Sequence, residues 1–500
     1  MFSRAGILRA GMWGVMWLAV FFVGVRSLDP DFGWHIQMGN LILAGGVPQT
    51  DPFSYTMANF PFIDHEWLTN TIIAVLYPRV GMAGLAVIFA TIVLGTIWVA
   101  VPKSEWMWAD LPVMLGFTVF LGRAGVRPQI MDWLFLAIVL RLLADDRLWK
   151  KWKWGLVGLE LVWANLHGGF ALGIAVVGCV LGVKWIWGKR WEWSDWGVWA
   201  GMWVVTVVNP YGLRLWDEVI MQMTDTNLRW KIAEWQPFWA GVELGYWLLA
   251  GMVLSLVMKY KKGTALWQKL VLVTTFVMGL SSLRHMPLFV VSALPVAAGG
   301  FAGFYREIKG NRLKIDRARK FYALLLGVVG LFTLAESGLY IWQAQQGNWG
   351  IIYPTEAVKF VRADGVEGEI FSFYGWGGYL IREMPERKVF IDGRMPSWRW
   401  AGYIGAEKSP ETKYSDWAFR EYLKVTEEGE FKGVFDKYGI HSVLWPSQLE
   451  EESTGWAKKM QEWWEKWRGK PKREDFIKGL KEAGWREAYR DKTAVIYEKL

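Results

Sequence analysis

The chain contains one cysteine, Cys179, among 500 residues. It cannot form an internal disulfide, so neither its stability nor its compartment follows from thiol chemistry, and Cys179 reads as a small residue in an apolar run. The soluble C-terminal tail lacks a phosphate-binding glycine loop, a dinucleotide fingerprint and any zinc spacing. Charged residues are scarce at 21%, and the net charge of +9 sits in short stretches between apolar runs. That placement points to membrane topology rather than nucleic acid. No small-residue cleavage site follows the first apolar run, Ala5 to Val25, which therefore reads as an uncleaved span whose start Arg4 and Arg9 hold in the cytoplasm.

What is abundant is apolar surface. Hydrophobic residues make up 53% of the chain, with 37 Trp, and the mean hydropathy is +0.17. A soluble core does not absorb that much. A crossing helix needs roughly 20 apolar residues, fewer beside polar cavities. On that rule spans are expected near 5–26, 81–101, 107–122, 129–143, 155–166, 168–187, 196–208, 241–258, 266–282, 286–304 and 321–342. The expected fold class is an α-helical polytopic membrane protein of about eleven spans, followed by a soluble α/β domain. The domains are expected at 1–343, with a large first outer loop at 28–80, and at 344–500. The long apolar stretch 155–187 breaks at Asn165-Leu166-His167-Gly168-Gly169, which reads as a hairpin.

Cytoplasmic loops retain Lys and Arg, and this gives an independent check. With the N-terminus inside, the inner loops carry Arg147, Lys150, Lys151 and Lys153, then Lys184, Lys189 and Arg190, then Lys259, Lys261 and Lys262. The last inner loop carries Arg306 to Lys320, and the tail emerges outside. The opposite face holds the first loop, a loop from Asn209 to Trp239, and the turns at Arg123–Pro128, Asn165–Gly169 and Arg284–His285. His35, His65, His167 and His285 all fall on that face, although histidine played no part in choosing the topology. The expected location is the cytoplasmic (inner) membrane, multi-pass, with the C-terminal domain extracytoplasmic.

The first loop reads Asp29-Pro30-Asp31-Phe32-Gly33-Trp34-His35, then Thr50-Asp51-Pro52-Phe53-Ser54, then Asp64-His65-Glu66-Trp67. Carboxylates and imidazoles beside aromatic rings offer general bases in a partly dry setting. The plainer reading of Asp51 and Asp64 is the capping of turns and helices. A divalent cation on Asp31, His35, Asp64, His65 and Glu66 matches the donor types, but no pair has a diagnostic spacing, so no metal ligand and no certain cofactor is assigned. Arg123, Arg127, Arg214, Arg229 and Arg284 lie on the face where topology disfavours cations. Phosphate recognition by the guanidinium fork is one reason for them; snorkelling to headgroups is the other. Arg127 and Arg284, the latter beside His285, are the stronger phosphate candidates. Asn165 and His167 at the helix break, with Asp64, His65, Glu66 and Glu234, are candidates for lining a cavity, and Glu160 stands alone as an acid inside a span.

Taken together, Asp29–His35, Thr50–Ser54, Asp64–Trp67, Trp163–Gly169, Asn209–Gly212, Trp376–Leu380 and Val389–Arg394 resemble the recurring blocks of the GT-C superfamily of membrane glycosyltransferases, in particular its bacterial RgtA/B/C/D-like group. The resemblance implies transfer of a sugar from a polyprenyl-phosphate-linked donor to a glycan, lipid or protein acceptor at the outer face of the membrane. It assigns the role of base to Asp31, then Asp29, with His35 beside them. Arg127, Arg123, Arg284 and His285 take the donor phosphate. An adjacent Asp-Glu pair, frequent in relatives, is missing at Asp31. Attack at the anomeric carbon needs a proton acceptor and a counter-charge for the leaving phosphate, and carboxylates and arginines on one face supply both.

In the tail, helical patterns are expected at 355–362, 376–382, 419–438 and 473–483, and strands at 369–374, 388–391, 442–445 and 494–498. A transporter or lipid flippase would set its polar groups near the bilayer midplane, often in repeated halves, and no repeat is visible. A non-catalytic cell-envelope assembly protein would need no base. Both remain as alternatives at this point, while sugar, acceptor and stereochemical outcome are not encoded in any motif.

Overall fold

The computed structural model describes residues 4–26, 28–188, 192–225, 231–240, 243–260, 263–346, 353–400, 416–447 and 476–499. It divides into two compact units, one formed by Met1–Asp29 and Asp64–Gln346, the other by Pro30–Ile63 and Gly347–Leu500.

The first unit is helical. Its helices are α1 (Arg4–Arg26), α3 (Trp67–Ala100), α4 (Asp110–Leu121), α5 (Ile130–Leu143), α6 (Asp146–Trp152), α7 (Gly155–Leu166), α8 (Phe170–Ile186), α9 (Trp193–Val205), α10 (Arg214–Thr224), α11 (Leu244–Lys259), α12 (Leu266–Ser281), α13 (Met286–Ile308) and α14 (Arg312–Gln346). Each segment expected to span falls on one of them. Among the described residues, Gly6–Arg26, Trp67–Ala100, Leu283–Ile308 and Arg312–Leu339 are long and apolar enough to cross a membrane, and several of the others are shorter apolar helices. Boundaries differ in two places: the helix of the span expected at 321–342 already begins at Arg312, and the span expected at 81–101 is preceded by a further helix. The expected span at 81–101 is the second part of α3, which begins at Trp67 and bends at Gly81, where φ is +64°. That conformation is non-helical and suits glycine, so two helices meet at a kink there, and the expected span is the second of them.

Small residues let these helices approach closely. Gly116 faces Val290 across α4 and α13, and Gly279 faces the Tyr246 ring across α12 and α11. At the other end of the chain's first helix, Arg9 donates two hydrogen bonds to Asp110, at 2.8 and 2.6 Å, tying α1 to α4. Glu160 on α7 is fully buried beside Gly173, and neither carboxylate oxygen has a hydrogen-bond partner among the described residues.

In the second unit a four-stranded sheet has the order β1-β2-β4-β3, from β1 (Glu369–Ser372), β2 (Ile440–Pro446), β3 (Arg486–Arg490) and β4 (Ala494–Glu498). β1 runs parallel to β2, and the remaining pairs are antiparallel. Strand β3 is not visible in the hydropathy pattern because it is a charged edge with mostly exposed side chains. The helical run expected at 419–438 is two helices, Ala418–Glu428 and Phe431–Tyr438, separated by Gly429 at φ +73°. The segment expected as a strand at 388–391 joins no sheet. Val389 instead pairs with the first-loop segment: its N–H donates to Phe53 O at 2.9 Å, and Tyr55 N–H donates to Val389 O at 3.1 Å.

The first loop, expected to belong with the membrane body, is therefore packed with the C-terminal residues from Pro30 to Ile63. Glycines make this fit. A Cβ on Gly33 of α2 (Phe32–Gly45) would collide with the carbonyl of Gly378, and one on Gly378 would collide with the carbonyl of Pro30. At its heart Arg394, 2% exposed in its side chain, lies between Asp392 and Asp51, both 0%.

Candidate active site

The polar residues of the first unit gather where its helices end in short turns. Glu66 precedes α3, Arg123 and Arg127 lie between α4 and α5, His167 follows α7, Glu234 precedes α11, and Arg284 stands between α12 and α13. These side chains form a continuous chain of contacts. Asp29 is ion-paired with Arg127. Arg127 reaches Glu234 at 3.5 Å, and Arg284 donates to Glu234 at 2.8 Å. Arg284 also stands 3.2 Å from His167 Nε2. His167 lies between two acids, with Nε2 3.1 Å from Glu66 and Nδ1 2.7 Å from Asp132. His65 closes the row, 3.5 Å from Glu66 and 3.9 Å from Glu218.

Local sequence explains why this row can form. At the helix break, Gly168 leaves room for the His65 ring, which would stand 2.9 Å from a Cβ there, and a Cβ on Gly169 would overlap the Asp132 carboxylate. Trp163 Nε1 donates to Asp132 at 2.7 Å and holds that carboxylate in place. Asn165 accepts from Trp67 Nε1 at 2.8 Å and donates to the Leu161 and Val208 carbonyls, so it fastens helix ends. Asp64 accepts from the Asn70 amide and from the backbone N–H of Glu66, the capping role read as the plainer one.

Burial and charge set the protonation states. Burial alone lowers the His167 pKa, but the Asp132 and Glu66 carboxylates outweigh it and push it up to about 9. His65 is also raised, because Glu66 and Glu218 overcome its burial. Burial pushes the Asp64 carboxyl up to about 6 against the opposing Asn70 hydrogen bonds, and it raises Glu218 as well. Burial also works to raise Glu234, yet Arg284, then Arg127 and Arg123, hold it below the usual glutamate value.

Of the residues expected at the site, Asp29, Asp64, His65, Glu66, Arg123, Arg127, Asn165, His167, Glu234, Arg284 and His285 all belong to the first unit. Arg123 donates to Glu243 at 2.9 Å, and His285 packs edge-on against Trp235 at 5.7 Å. Asp31 and His35 belong to the second unit. Asp31 is half-buried with its carboxylate against the Gly393 backbone, and His35 is buried beside the Trp34 ring. Arg214 begins α10, and Arg229 lies outside the described residues. Asp132 and Glu218 were not anticipated. Asp132 is the third residue of α5 and Glu218 the fifth of α10, positions near a helix start where an acid reads as helix-end chemistry.

No family model and no curated protein matches the sequence. The fold does match solved structures. Oligosaccharyltransferase AglB from Archaeoglobus fulgidus, in complex with an inhibitory peptide and a dolichol-phosphate, superposes with a TM-score of 0.57 at 11% identity, covering 88% of this chain and 70% of that one. The Archaeoglobus fulgidus enzyme tethered to an acceptor peptide containing the NVT sequon gives 0.58 at 12%, over 87% and 69%. Its apo form gives 0.55 at 11%, over 87% and 69%. The chain thus shares the overall fold of these archaeal oligosaccharyltransferase structures.

Proposed function

We propose that this protein is a GT-C-type glycosyltransferase that moves a sugar from a polyprenyl-phosphate-linked donor to an acceptor at the outer face of the cytoplasmic membrane. The observation that carries the reading is the row Asp29–Arg127–Glu234–Arg284, in which two carboxylates and two arginines are gathered at the helix ends. The AglB structure with a dolichol-phosphate supports a lipid-phosphate donor on this fold, and the tethered sequon peptide supports an acceptor that is a peptide.

In the step proposed, the acceptor heteroatom forms a bond to the anomeric carbon while the bond from that carbon to the phosphate oxygen breaks. The acceptor proton passes to a carboxylate. Asp29 takes this role because it shares the row with the arginines, with Asp31, two residues on, as the other first-loop candidate. Negative charge developing on the departing lipid phosphate is met by Arg127 and Arg284, whose forked guanidinium groups suit phosphate oxygens. Glu234 holds both arginines in position before the donor arrives, which lowers the cost of ordering them on binding.

The test is transfer from a radiolabelled lipid-linked sugar by the full-length protein in detergent. Asp29→Asn is expected to lower turnover roughly 10²- to 10⁴-fold, the range for a lost general base, while the variant elutes and melts like wild type. Unchanged turnover in both Asp29→Asn and Asp31→Asn would reject the base assignment.

A further inference from the structure

We propose that His65, Glu66 and His167 form a binding site for a divalent transition ion of the zinc class, with Asp132 as the group that orients the His167 imidazole. Its basis is the side-chain geometry of the first unit, and it stands independently of the transfer reading.

Donor atoms around a four-coordinate zinc at about 2.0–2.2 Å from the ion lie roughly 3.3 Å from one another. Here His167 Nε2 and Glu66 Oε1 are 3.1 Å apart, and His65 Nε2 and the same oxygen are 3.5 Å apart. One donor atom from each of the three residues falls within 4.8 Å of the others. Two imidazoles and one carboxylate are a donor set suited to zinc, cobalt or iron and unsuited to magnesium or calcium, which take oxygen alone. All three side chains are shielded, Glu66 and His167 most completely, with 7% and 6% of their side chains exposed.

The outer nitrogens supply the second observation. Ligating histidines commonly present their other nitrogen to a carboxylate, which fixes ring orientation and raises ligand basicity. His167 is arranged this way, with Nδ1 2.7 Å from Asp132, while Glu218 stands 3.9 Å from His65 Nδ1, near it but beyond direct hydrogen-bond reach. Asp132 is itself anchored by Trp163, and the glycines at 168 and 169 leave the space that His65 and Asp132 fill. Three protein donors leave one coordination position for an oxygen from solvent or substrate.

The experiment uses the full-length protein in detergent, stripped with chelator and then equilibrated with Zn²⁺ or Co²⁺. The expected result is one ion per chain by elemental analysis, a tetrahedral Co²⁺ absorption spectrum, and X-ray absorption showing two imidazole nitrogens with carboxylate oxygen. Glu66→Gln and His167→Gln are expected to abolish uptake, and Asp132→Asn to weaken it roughly 10- to 100-fold. Glu307→Gln, an exposed acid paired with Lys259, is expected to bind as wild type does. Stripped wild type that takes up neither ion overturns the proposal, as does ligand-variant binding equal to wild type. If the ligand variants fail to fold, the wild-type absorption spectrum decides: oxygen-only coordination overturns the site. Uptake with no sugar transfer would leave the metal site standing and remove the transferase reading; transfer with no uptake would do the reverse.

Discussion

Replacing Asp392 by Asn tests whether charge holds the second unit together. Arg394 Nε donates to Asp392 Oδ1 at 2.8 Å, and Nη2 donates to Asp392 Oδ2 at 2.6 Å and Asp51 Oδ1 at 2.9 Å. The guanidinium also stands 4.9–5.7 Å from the rings of Phe53, Phe62, Trp398 and Trp34. Asn keeps the shape and one acceptor but removes the charge, leaving Arg394 with Asp51 alone in a site no solvent reaches. Breaking a buried pair by removing one partner costs about 3–5 kcal/mol, because the remaining charge stays buried. For a unit of 150–250 residues, 1 kcal/mol shifts the melting temperature by roughly 2–4 °C, so Asp392→Asn should lower it by roughly 6–20 °C. The assay is thermal melting of the full-length protein in detergent, with hydrogen exchange of the β2 peptide, Ile440–Pro446, reporting on this unit. A triple variant, Asp51→Asn, Asp392→Asn and Arg394→Met, leaves no charge and sets a thioether among the rings, and it should lose less than the single variant. A single variant that melts as wild type, with β2 exchange unchanged, refutes the reasoning.

Gly169→Ala should lower the melting temperature by an amount equivalent to about 1–3 kcal/mol, since its Cβ meets the Asp132 carboxylate, whereas Gly182→Ala, which meets nothing within 4 Å, should not. Gly378→Ala should likewise destabilise the second unit through the Pro30 carbonyl, with Gly433→Ala as its silent control, read from β2 exchange. Glu234 has a folded pKa below its ordinary 4.5, so its stabilisation is in place above that value and is lost as pH falls through the lower folded value. The melting gap between wild type and Glu234→Gln should accordingly be widest near neutrality and close on acidification; a gap that widens toward low pH would contradict the assignment.

Much of the helical unit was legible because its elements are local. Apolar runs long enough to cross a bilayer, separated by basic or glycine-containing turns, mark helices without reference to any distant residue. The break at Asn165–Gly169 was legible for the same reason, as was the gathering of Arg127, Glu234, Arg284 and His167 at one set of turns. Asp132 and Glu218 were not, because an acid on the first turn of a helix has an ordinary explanation in the helix dipole. Only the approach of His167 and His65 gives these two a different role.

The amino-acid order by itself marked the apolar helices and the turns between them that carry the charged groups, since hydropathy and charge bias act residue by residue. Tertiary structure alone decided partnership. Nothing local to Asp51, Ser54 or Gly33 says that they pack with Arg394, Val389 and Gly378, more than three hundred residues away, and only those contacts group Pro30–Ile63 with the C-terminal residues. Buried charges and close-packed glycines take their meaning from what faces them, and in a chain of this length that is settled by long-range contact.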